Sequence, residues 1–268
     1  MLRALLARLR QGHRTMRYPA APPPPLPDRF RGRPLVDDAK CQPDCRACAD
    51  ACPTEAIAIA TPAAAGGVRV DLGRCLFCTD CQDACPAGAI TYSSDHRLSV
   101  SRREDLVVDP GDELRLARAL DDRLRRLFGR SLQLRQVSAG GCNACEADVN
   151  VLGTIGWDLS RFGIRIVASP RHADGVLVTG CVTENMAQAL QKTYDAVPPP
   201  KIVIAVGACA IAGGPFRTNP QQLGGVAGIG LPVDLYGPGC PTLPLTILDG
   251  LLRMLGRLEA QGRTAAID

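Results

Sequence analysis

Long hydrophobic runs and aromatic residues are scarce in this sequence, and nucleotide-binding motifs are missing. Its 268 residues contain no stretch of eighteen apolar residues and no cleavable apolar leader, so neither a transmembrane span nor export is predicted. No G-x-G-x-x-G motif or P-loop follows the first strand predicted for its second half, which argues against a nucleotide site. The chain also offers no catalytic nucleophile and no acid–base dyad. An enzyme active site within this chain is therefore not expected.

Cysteine, by contrast, is abundant. The chain has 13 cysteines, far more than packing requires. In the reducing cytoplasm expected for it, clustered cysteines bind metal more often than they form disulfides. The net charge of +4 is uneven, because residues 1–40 hold nine Arg or Lys against three Asp. A basic arm on a nearly neutral body argues against broad nucleic-acid binding.

The basic arm has two parts. Residues 1–17 predict a short basic amphipathic helix with leucines at helical spacing on one side: Leu2, Leu5, Leu6 and Leu9. Such a helix either lies in a bilayer interface or packs on a partner subunit, and the sequence leaves both open. Residues 18–40 form a proline-rich lead-in, expected to be an extended, polyproline-like strap.

Residues 41–105 contain an internal cysteine repeat. Its second copy has the C-x-x-C-x-x-C-x-x-x-C-P spacing of bacterial ferredoxins, and its first copy has one extra residue between the first two cysteines. In such repeats the last cysteine of each copy reaches across to the other cluster. One predicted 4Fe-4S cluster is therefore held by Cys41, Cys45, Cys48 and Cys85, and the other by Cys52, Cys75, Cys78 and Cys81.

Zinc is the competing ligand for this repeat, and the paired Cys-Pro endings favour clusters. Short strands are expected at 56–60 and 89–92, with partners at 68–72 and 98–100. In this compact pattern two clusters largely replace a hydrophobic core, so few aromatic residues are needed.

Four further cysteines follow predicted buried strands. Cys142 and Cys145 come after the strand at 132–137, while Cys209 and Cys240 follow later strands, with glycines intervening each time. In an open parallel sheet the loops at the carboxyl ends of the strands share one edge, so these thiolates should converge there. They suit either zinc or a third 4Fe-4S cluster. The glycines favour the cluster, because backbone without Cβ can approach it closely.

The rest of the chain completes the predicted organisation. Residues 106–130 predict a hinge and a linker helix beginning near residue 112, and residues 131–268 alternate strand and helix patterns. The expected strands are 132–137, 164–169, 175–179, 201–206 and 233–236, and the expected helices are 150–161, 183–194 and 244–259. The predicted fold class is an α+β two-cluster bacterial ferredoxin domain followed by an α/β flavodoxin-like domain with a doubly wound parallel sheet.

Several motifs resemble one protein family. Gly-Cys-Asn-Ala-Cys-Glu at 141–146, Gly-Ala-Cys-Ala at 207–210 and Pro-Gly-Cys-Pro at 238–241 are similar to motifs of the small subunit of membrane-bound, group 4-type nickel–iron hydrogenases. Tyr-Pro and Phe-Arg-Gly pieces within the lead-in resemble the ferredoxin subunit of the same formate hydrogenlyase-type complexes. A related complex I subunit of about 20 kDa has adjacent cysteines at the first site. The two-residue gap between Cys142 and Cys145 favours the hydrogenase branch.

The resemblance implies an electron-transfer subunit in which a ferredoxin-like and a small subunit are fused. Three 4Fe-4S clusters would connect an external donor or acceptor with the nickel–iron site of a separate large subunit. The implied partners are that large subunit or a complex I-like homologue, membrane-anchor subunits, and a donor such as a formate dehydrogenase or another ferredoxin-linked subunit. The implied location is cytoplasmic, on the inner face of the cell membrane. A complex I-like quinone oxidoreductase and a hydrogenase-related complex lacking nickel are the alternatives.

Three other residues invite a role near the predicted third cluster. Glu146 adjoins Cys145 and is a candidate proton relay, since a carboxylate beside a redox centre can couple charge and proton movement. Cys181 would be a fifth sulfur and is expected to be a buried or interface residue. His172 is expected to be a surface or capping group rather than a ligand.

Overall fold

The computed structural model describes residues 2–12, 14–59 and 67–258. The chain opens with helix α1 (Leu2–Gln11), in which no residue is buried. Its leucine face is open, with Leu2 72% and Leu9 75% exposed. In the described part of the chain, none of the helices is long and apolar enough to cross a membrane.

Short elements form an amino-terminal unit. They are, in chain order, β1 (Pro34–Val36), α2 (Ala47–Asp50), β2 (Ile57–Ile59), β3 (Val68–Asp71), α3 (Asp80–Asp83), β4 (Ile90–Tyr92) and β5 (Val107–Val108). β3 pairs antiparallel with β2 on one side and with β5 on the other, so part of the predicted hinge is a strand. The predicted strand end at Ala60 lies outside the described residues.

The pairing of β4 differs from the prediction. Its partner is β1 from the lead-in, not residues 98–100. Val100 instead bridges Tyr236 of the second unit, with each backbone N–H donating to the other's carbonyl, at 3.0 and 2.9 Å. The sequence between β4 and Val100 therefore leads across to the second unit instead of turning back.

The second unit is built around a parallel sheet. Its elements are α4 (Asp122–Phe128), β6 (Leu132–Ser138), α5 (Ala144–Val151), β7 (Ile164–Ile166), β8 (Gly175–Thr179), α6 (Glu184–Ala196), β9 (Ile202–Val206), α7 (Ala208–Ala212), β10 (Leu235–Gly237) and α8 (Pro244–Met254). Among the described residues, the sheet order is β10-β9-β8-β6-β7, all parallel. Numbered within the unit and read from β7, this is 2-1-3-4-5, an order found in doubly wound sheets.

Apolar strand sequences explain the centre of this sheet. Every residue of β8 and β9 is buried, as expected for parallel strands covered on both faces. The predicted order of an α+β unit followed by an α/β unit with a parallel sheet is thus confirmed.

Three predicted helices were wrong in extent. The linker helix begins at Asp122 and not near residue 112. The Asp121 side chain caps this start, because it accepts a 2.9 Å hydrogen bond from the Leu124 N–H. The helix predicted at 150–161 instead occupies Ala144–Val151 and begins directly after Asn143, which adopts a left-handed conformation. Helix α8 ends at Met254 and not at residue 259, since the described residues 255–258 are not helical.

The two units share one hydrophobic core. Leu72 and Leu106 of the first unit belong to the same buried cluster as Val137 and Ile211 of the second. Polar contacts reinforce it, since the Thr246 hydroxyl donates to the His96 carbonyl at 2.7 Å. The units therefore meet through a packed interface.

The lead-in is anchored at Tyr18. This side chain is 7% exposed, and its hydroxyl donates to the Asp249 carboxylate at 2.7 Å. Asp249 also accepts from the Arg253 guanidinium at 2.7 Å, and both of these side chains are buried. Arg161 donates to the carbonyls of Met16 and Tyr18 at 2.6 and 2.7 Å. Around Tyr18 the predicted strap is therefore part of the fold.

Replacing Tyr18 with Phe should lower the free energy of unfolding by about 2 kcal/mol, because a buried carboxylate loses a hydrogen-bond donor. Anaerobic denaturant titration followed by circular dichroism measures the change. Tyr194→Phe is the matched control, since the Tyr194 ring acts as a platform for Lys201 Nζ, 4.0 Å from its centroid, and Phe keeps that ring. Equal midpoints for the Tyr18 variant and the wild type would show that the anchor contributes nothing.

Candidate metal centres

The carboxyl edge of the parallel sheet brings together four cysteines, here called the rim cysteines: Cys142, Cys145, Cys209 and Cys240. Cys145 lies in the first turn of α5, and Cys209 lies in the first turn of α7, directly after β9. Cys240 follows β10. The loops are tied together by backbone hydrogen bonds, in which Gly207 donates to Gly237 at 2.8 Å and Ala208 donates to Gly239 at 2.9 Å.

Two glycines leave room for the sulfurs. A Cβ on Gly207 would lie 2.6 Å from Cys145 Sγ, and a Cβ on Gly214 would lie 2.6 Å from Cys209 Sγ. Both glycines also have positive φ, +94° and +56°, which other residues adopt at a cost. The glycines near the rim cysteines are thus required by close approach as well as by backbone conformation.

Burial and mutual repulsion dominate the electrostatics of the rim. Burial raises the pKa of Cys209 to about 12, and the charges of Cys240, Cys145, Cys181 and Cys142 add to it. Burial likewise raises the pKa of Cys145 to about 11, followed by the charges of Cys240, Glu146 and Cys142, against a backbone hydrogen bond from Thr242. Four thiolates can be held here only with a compensating positive group, which is what iron or zinc supplies.

Two cavities in the amino-terminal unit divide its eight cysteines. One, of about 350 Å³, is lined by Cys41, Cys45, Cys48 and Cys85 and is here called the first cavity. The other, of about 20 Å³, is lined by Cys52, Cys75, Cys78 and Cys81 and is here called the second cavity. The structure therefore brings together the same two groups of four that the sequence spacing predicts. The extra residue before Cys45 does not remove Cys41 from its group.

Backbone N–H groups point at several of these sulfurs. Ala56 donates to Cys52 Sγ at 3.2 Å, and Ala89 donates to Cys85 Sγ at 3.3 Å, at equivalent positions of the repeat. For Cys85, burial acts to raise the pKa, but the N–H groups of residues 87–90 outweigh it and lower the pKa. Such donors stabilise a thiolate, which is the form that binds metal.

The three cysteine groups lie next to one another. Cys48 of the first cavity and Cys81 of the second belong to the same buried cluster. Phe77, which directly precedes Cys78 of the second cavity, lines a further cavity of about 240 Å³ together with Cys240 of the rim. The order is therefore first cavity, second cavity, rim.

The donor set fits iron–sulfur chemistry. Each group supplies four cysteine sulfurs, the usual ligand count of a 4Fe-4S cluster. Around the rim cysteines, the glycines provide space that a Cβ would fill.

The other three singled-out residues have defined places. Glu146 is 7% exposed, and its Oε1 accepts from the hydroxyls of Ser138 and Thr179 at 2.7 and 2.6 Å. Burial acts to raise the Glu146 pKa, but these hydrogen bonds outweigh it and lower the pKa. Cys181 is buried and donates to the Gly140 carbonyl at 3.5 Å. His172 ends an exposed 3-10 turn, as expected for a surface group.

Sequence reasoning missed Tyr92. Its hydroxyl lies 3.4 Å from Cys81 Sγ, and its side chain lines the second cavity. The available signal was its position in the repeat, seven residues after Cys85, where the first copy has Ile59 seven residues after Cys52.

Comparisons with known proteins define the class. The family model of the NADH ubiquinone oxidoreductase 20 kDa subunit matches residues 142–254, and that of the 4Fe-4S dicluster domain matches residues 40–89. A probable membrane-bound hydrogenase subunit, mbhJ, of Pyrococcus furiosus is 41% identical over 50% of this chain and 80% of its own length. A subunit of the NADH-quinone oxidoreductase of Bacteroides thetaiotaomicron is 40% identical over 53% of this chain and 71% of its own length.

Formate hydrogenlyase subunit 7 of Escherichia coli is 43% identical over 51% of this chain and 53% of its own length. The chain belongs to the family of the NADH ubiquinone oxidoreductase 20 kDa subunit, and it carries a 4Fe-4S dicluster domain ahead of that region. It is a complex I-like electron-transfer subunit of an oxidoreductase complex.

Gly207→Ala should disrupt the rim, because the new Cβ would meet Cys145 Sγ at 2.6 Å. We expect the anaerobically purified variant to lose about four irons per chain. Gly224→Ala is the matched control, since Gly224 also has positive φ, +76°, but no atom lies within 4 Å of its Cβ position. Iron and acid-labile sulfide analysis of both variants measures the effect. Full iron content in the Gly207 variant would contradict the close approach.

Proposed function

We propose that this chain holds three 4Fe-4S clusters and is the fused ferredoxin-like and small subunit of a membrane-associated, formate hydrogenlyase-like nickel–iron hydrogenase. One observation carries the proposal: three groups of four cysteines lie next to one another, from the first cavity through the second to the rim. When bound, such clusters accept and release single electrons. Residues 41–105 hold two of them, residues 106–130 connect, and the flavodoxin-like residues 131–268 hold the third.

The chain's own residues bind and tune these groups. The cysteines of each cavity and of the rim are the ligands, the glycines near the rim admit the third cluster, and the backbone donors at Ala56 and Ala89 stabilise ligand sulfurs. The anion of Glu146 accepts hydrogen bonds from β6 and β8, which fixes the start of α5 and hence Cys145. Positioning is the role this geometry supports for Glu146, and proton relay remains the alternative.

The hydrogenase assignment rests on the first rim motif. Cys142 and Cys145 are separated by two residues, as in the hydrogenase branch that this motif resembles. Relatives of both kinds match at similar identity: a probable membrane-bound hydrogenase subunit at 41%, a formate hydrogenlyase subunit at 43% and a NADH-quinone oxidoreductase subunit at 40%. A complex I-like quinone oxidoreductase and a complex whose large subunit lacks nickel are therefore the competing assignments.

The proposed partners follow from the order of the sites. The rim faces the large subunit that contains the nickel–iron site, and the first cavity faces a donor such as a formate dehydrogenase or a ferredoxin-linked subunit. Membrane-anchor subunits complete the assembly on the cytoplasmic side of the cell membrane. The fusion holds the two units in one ratio and at high effective concentration, and the Glu55–Arg217 ion pair at 2.6 Å adds to their interface.

Replacing Cys209 with Ser should abolish donor-linked turnover of the assembled complex, while the clusters of the amino-terminal unit remain reducible by the donor. Cys181→Ser is the matched control, because Cys181 is also a buried cysteine near the rim but belongs to none of the three groups. Wild-type chain should contain about twelve irons. Only eight irons, stoichiometric zinc, or full turnover in the folded Cys209 variant would contradict the proposal. Hydrogen evolution and quinone reduction, assayed in parallel on the complex, separate the competing assignments.

Replacing both Leu2 and Leu9 with Glu should release the complex from membranes at moderate salt, because the exposed apolar face of α1 would then carry charge. The matched control is Ala4→Glu with Gln11→Glu, which adds the same charge on the opposite face of the helix. Flotation of the complex on anionic vesicles measures the difference. If both variants bind the vesicles as well as the wild type does, the helix packs on a partner subunit.

A further inference from the structure

We propose that the Tyr92 hydroxyl is a positioning group that raises the reduction potential of the cluster held in the second cavity, and so makes the two halves of the cysteine repeat electronically unequal. This inference rests on the proposed function, since it requires a cluster in that cavity. Tyr92 touches a ligand sulfur and is not itself a ligand.

Cluster binding would fix the direction of the hydrogen bond between Tyr92 and Cys81. Tyr92 Oη lies 3.4 Å from Cys81 Sγ. A metal-bound thiolate has no proton, so the tyrosine must donate and the sulfur accept. The Thr54 hydroxyl lies 3.8 Å from Cys52 Sγ, but its single proton is already donated to the Arg74 carbonyl at 2.8 Å. Tyr92 is therefore the better placed of these two hydroxyl donors to the second cavity.

The repeat supplies an internal comparison. Ala56 and Ala89 are equivalent and donate alike, so they do not distinguish the two cavities. At the position of Tyr92 the first copy has Ile59, whose side chain lines the first cavity and has no hydroxyl. The sequence thus places a donor on one cavity and an apolar group on its counterpart.

One backbone donor does not separate the two cavities. Phe77 N–H donates to Cys75 Sγ at 3.3 Å, and Phe77 lies one residue before Cys78. Asp44 is the matching residue of the first copy, because it lies one residue before Cys45 and has a similar positive φ, +59° against +56° for Phe77. The difference between the cavities therefore rests on Tyr92 and Ile59.

Electrostatics then gives the sign. With a cluster bound by these cysteines, dithionite would add one electron to it; no bond would form or break, and the proton would stay on the Tyr92 oxygen. Part of the added negative charge would lie on the ligand sulfurs, where a hydrogen-bond donor would stabilise the reduced state more than the oxidised state. Removing the donor should lower the reduction potential of this cluster and leave the potentials of the other two clusters unchanged.

The test is a dithionite titration of the full purified chain, followed by electron paramagnetic resonance. Tyr92→Phe should lower one midpoint potential, by up to about 59 mV for a tenfold change in the one-electron equilibrium. It should also remove a proton coupling that is present in wild-type protein in H2O and is lost when that protein is transferred to D2O. Tyr236→Phe is the matched control and should move none of the three. 3-Fluorotyrosine at position 92 keeps the ring, strengthens the donor and should raise the same midpoint.

Each outcome bears on the inference separately from the proposed function. Wild-type chain without iron–sulfur signals would remove the proposed function itself. Wild-type signals with unchanged midpoints in both Tyr92 substitutions would overturn the role of Tyr92 alone. A shift shared equally by all three clusters would also overturn it, because a general loosening of the fold, not one hydrogen bond, would then be responsible. If Tyr92→Phe loses iron, the fluorinated variant decides by the sign of its shift.

Discussion

The cost of burying crowded thiolates is the constraint on which the rest of the molecule depends. Burial first, and then the charges of neighbouring cysteines, raises the thiol pKa of Cys209 at the rim and of Cys75 in the second cavity to about 12. A positive group shared among four sulfurs offsets that cost, so binding free energy becomes folding free energy. The amino-terminal unit needs this contribution most, because its strands have two to four residues and its helices four. Such elements bury little apolar surface by themselves.

The second unit is stabilised differently, and it lends rigidity to the first. β8 and β9 are wholly buried, and α8 beside them is buried along its full length, including the Asp249–Arg253 pair. The amino-terminal unit packs on this framework through a common core and through Tyr18. Distances between the cysteine groups are therefore set by packed side chains, and this matters because electron transfer weakens steeply with separation.

Much of this arrangement was predictable from sequence, for identifiable reasons. Strand 175–179 was placed correctly because a continuous apolar run in a parallel sheet has few other interpretations. The two groups of cysteines in the cavities follow from the spacing within the repeat, in which the last cysteine of each copy reaches across to the other group. The start of α5 was missed because Asn143 at φ +72° ends the loop early, and no periodic pattern signals a single left-handed residue. The β1–β4 pairing and the Tyr18 anchor were missed because both join segments distant in sequence, and local patterns do not encode such partners.

The bridge between Val100 and Tyr236 has a consequence for solubility. Among the described strands, β10 is an edge of the parallel sheet, and an uncovered edge offers N–H and C=O groups to strands of other molecules. Val100 occupies those groups at Tyr236 in both directions. The amino-terminal unit therefore covers part of the β10 edge of the second unit. Separating the two units would expose this edge strand to pairing with other molecules, so the fusion also protects the second unit from aggregation.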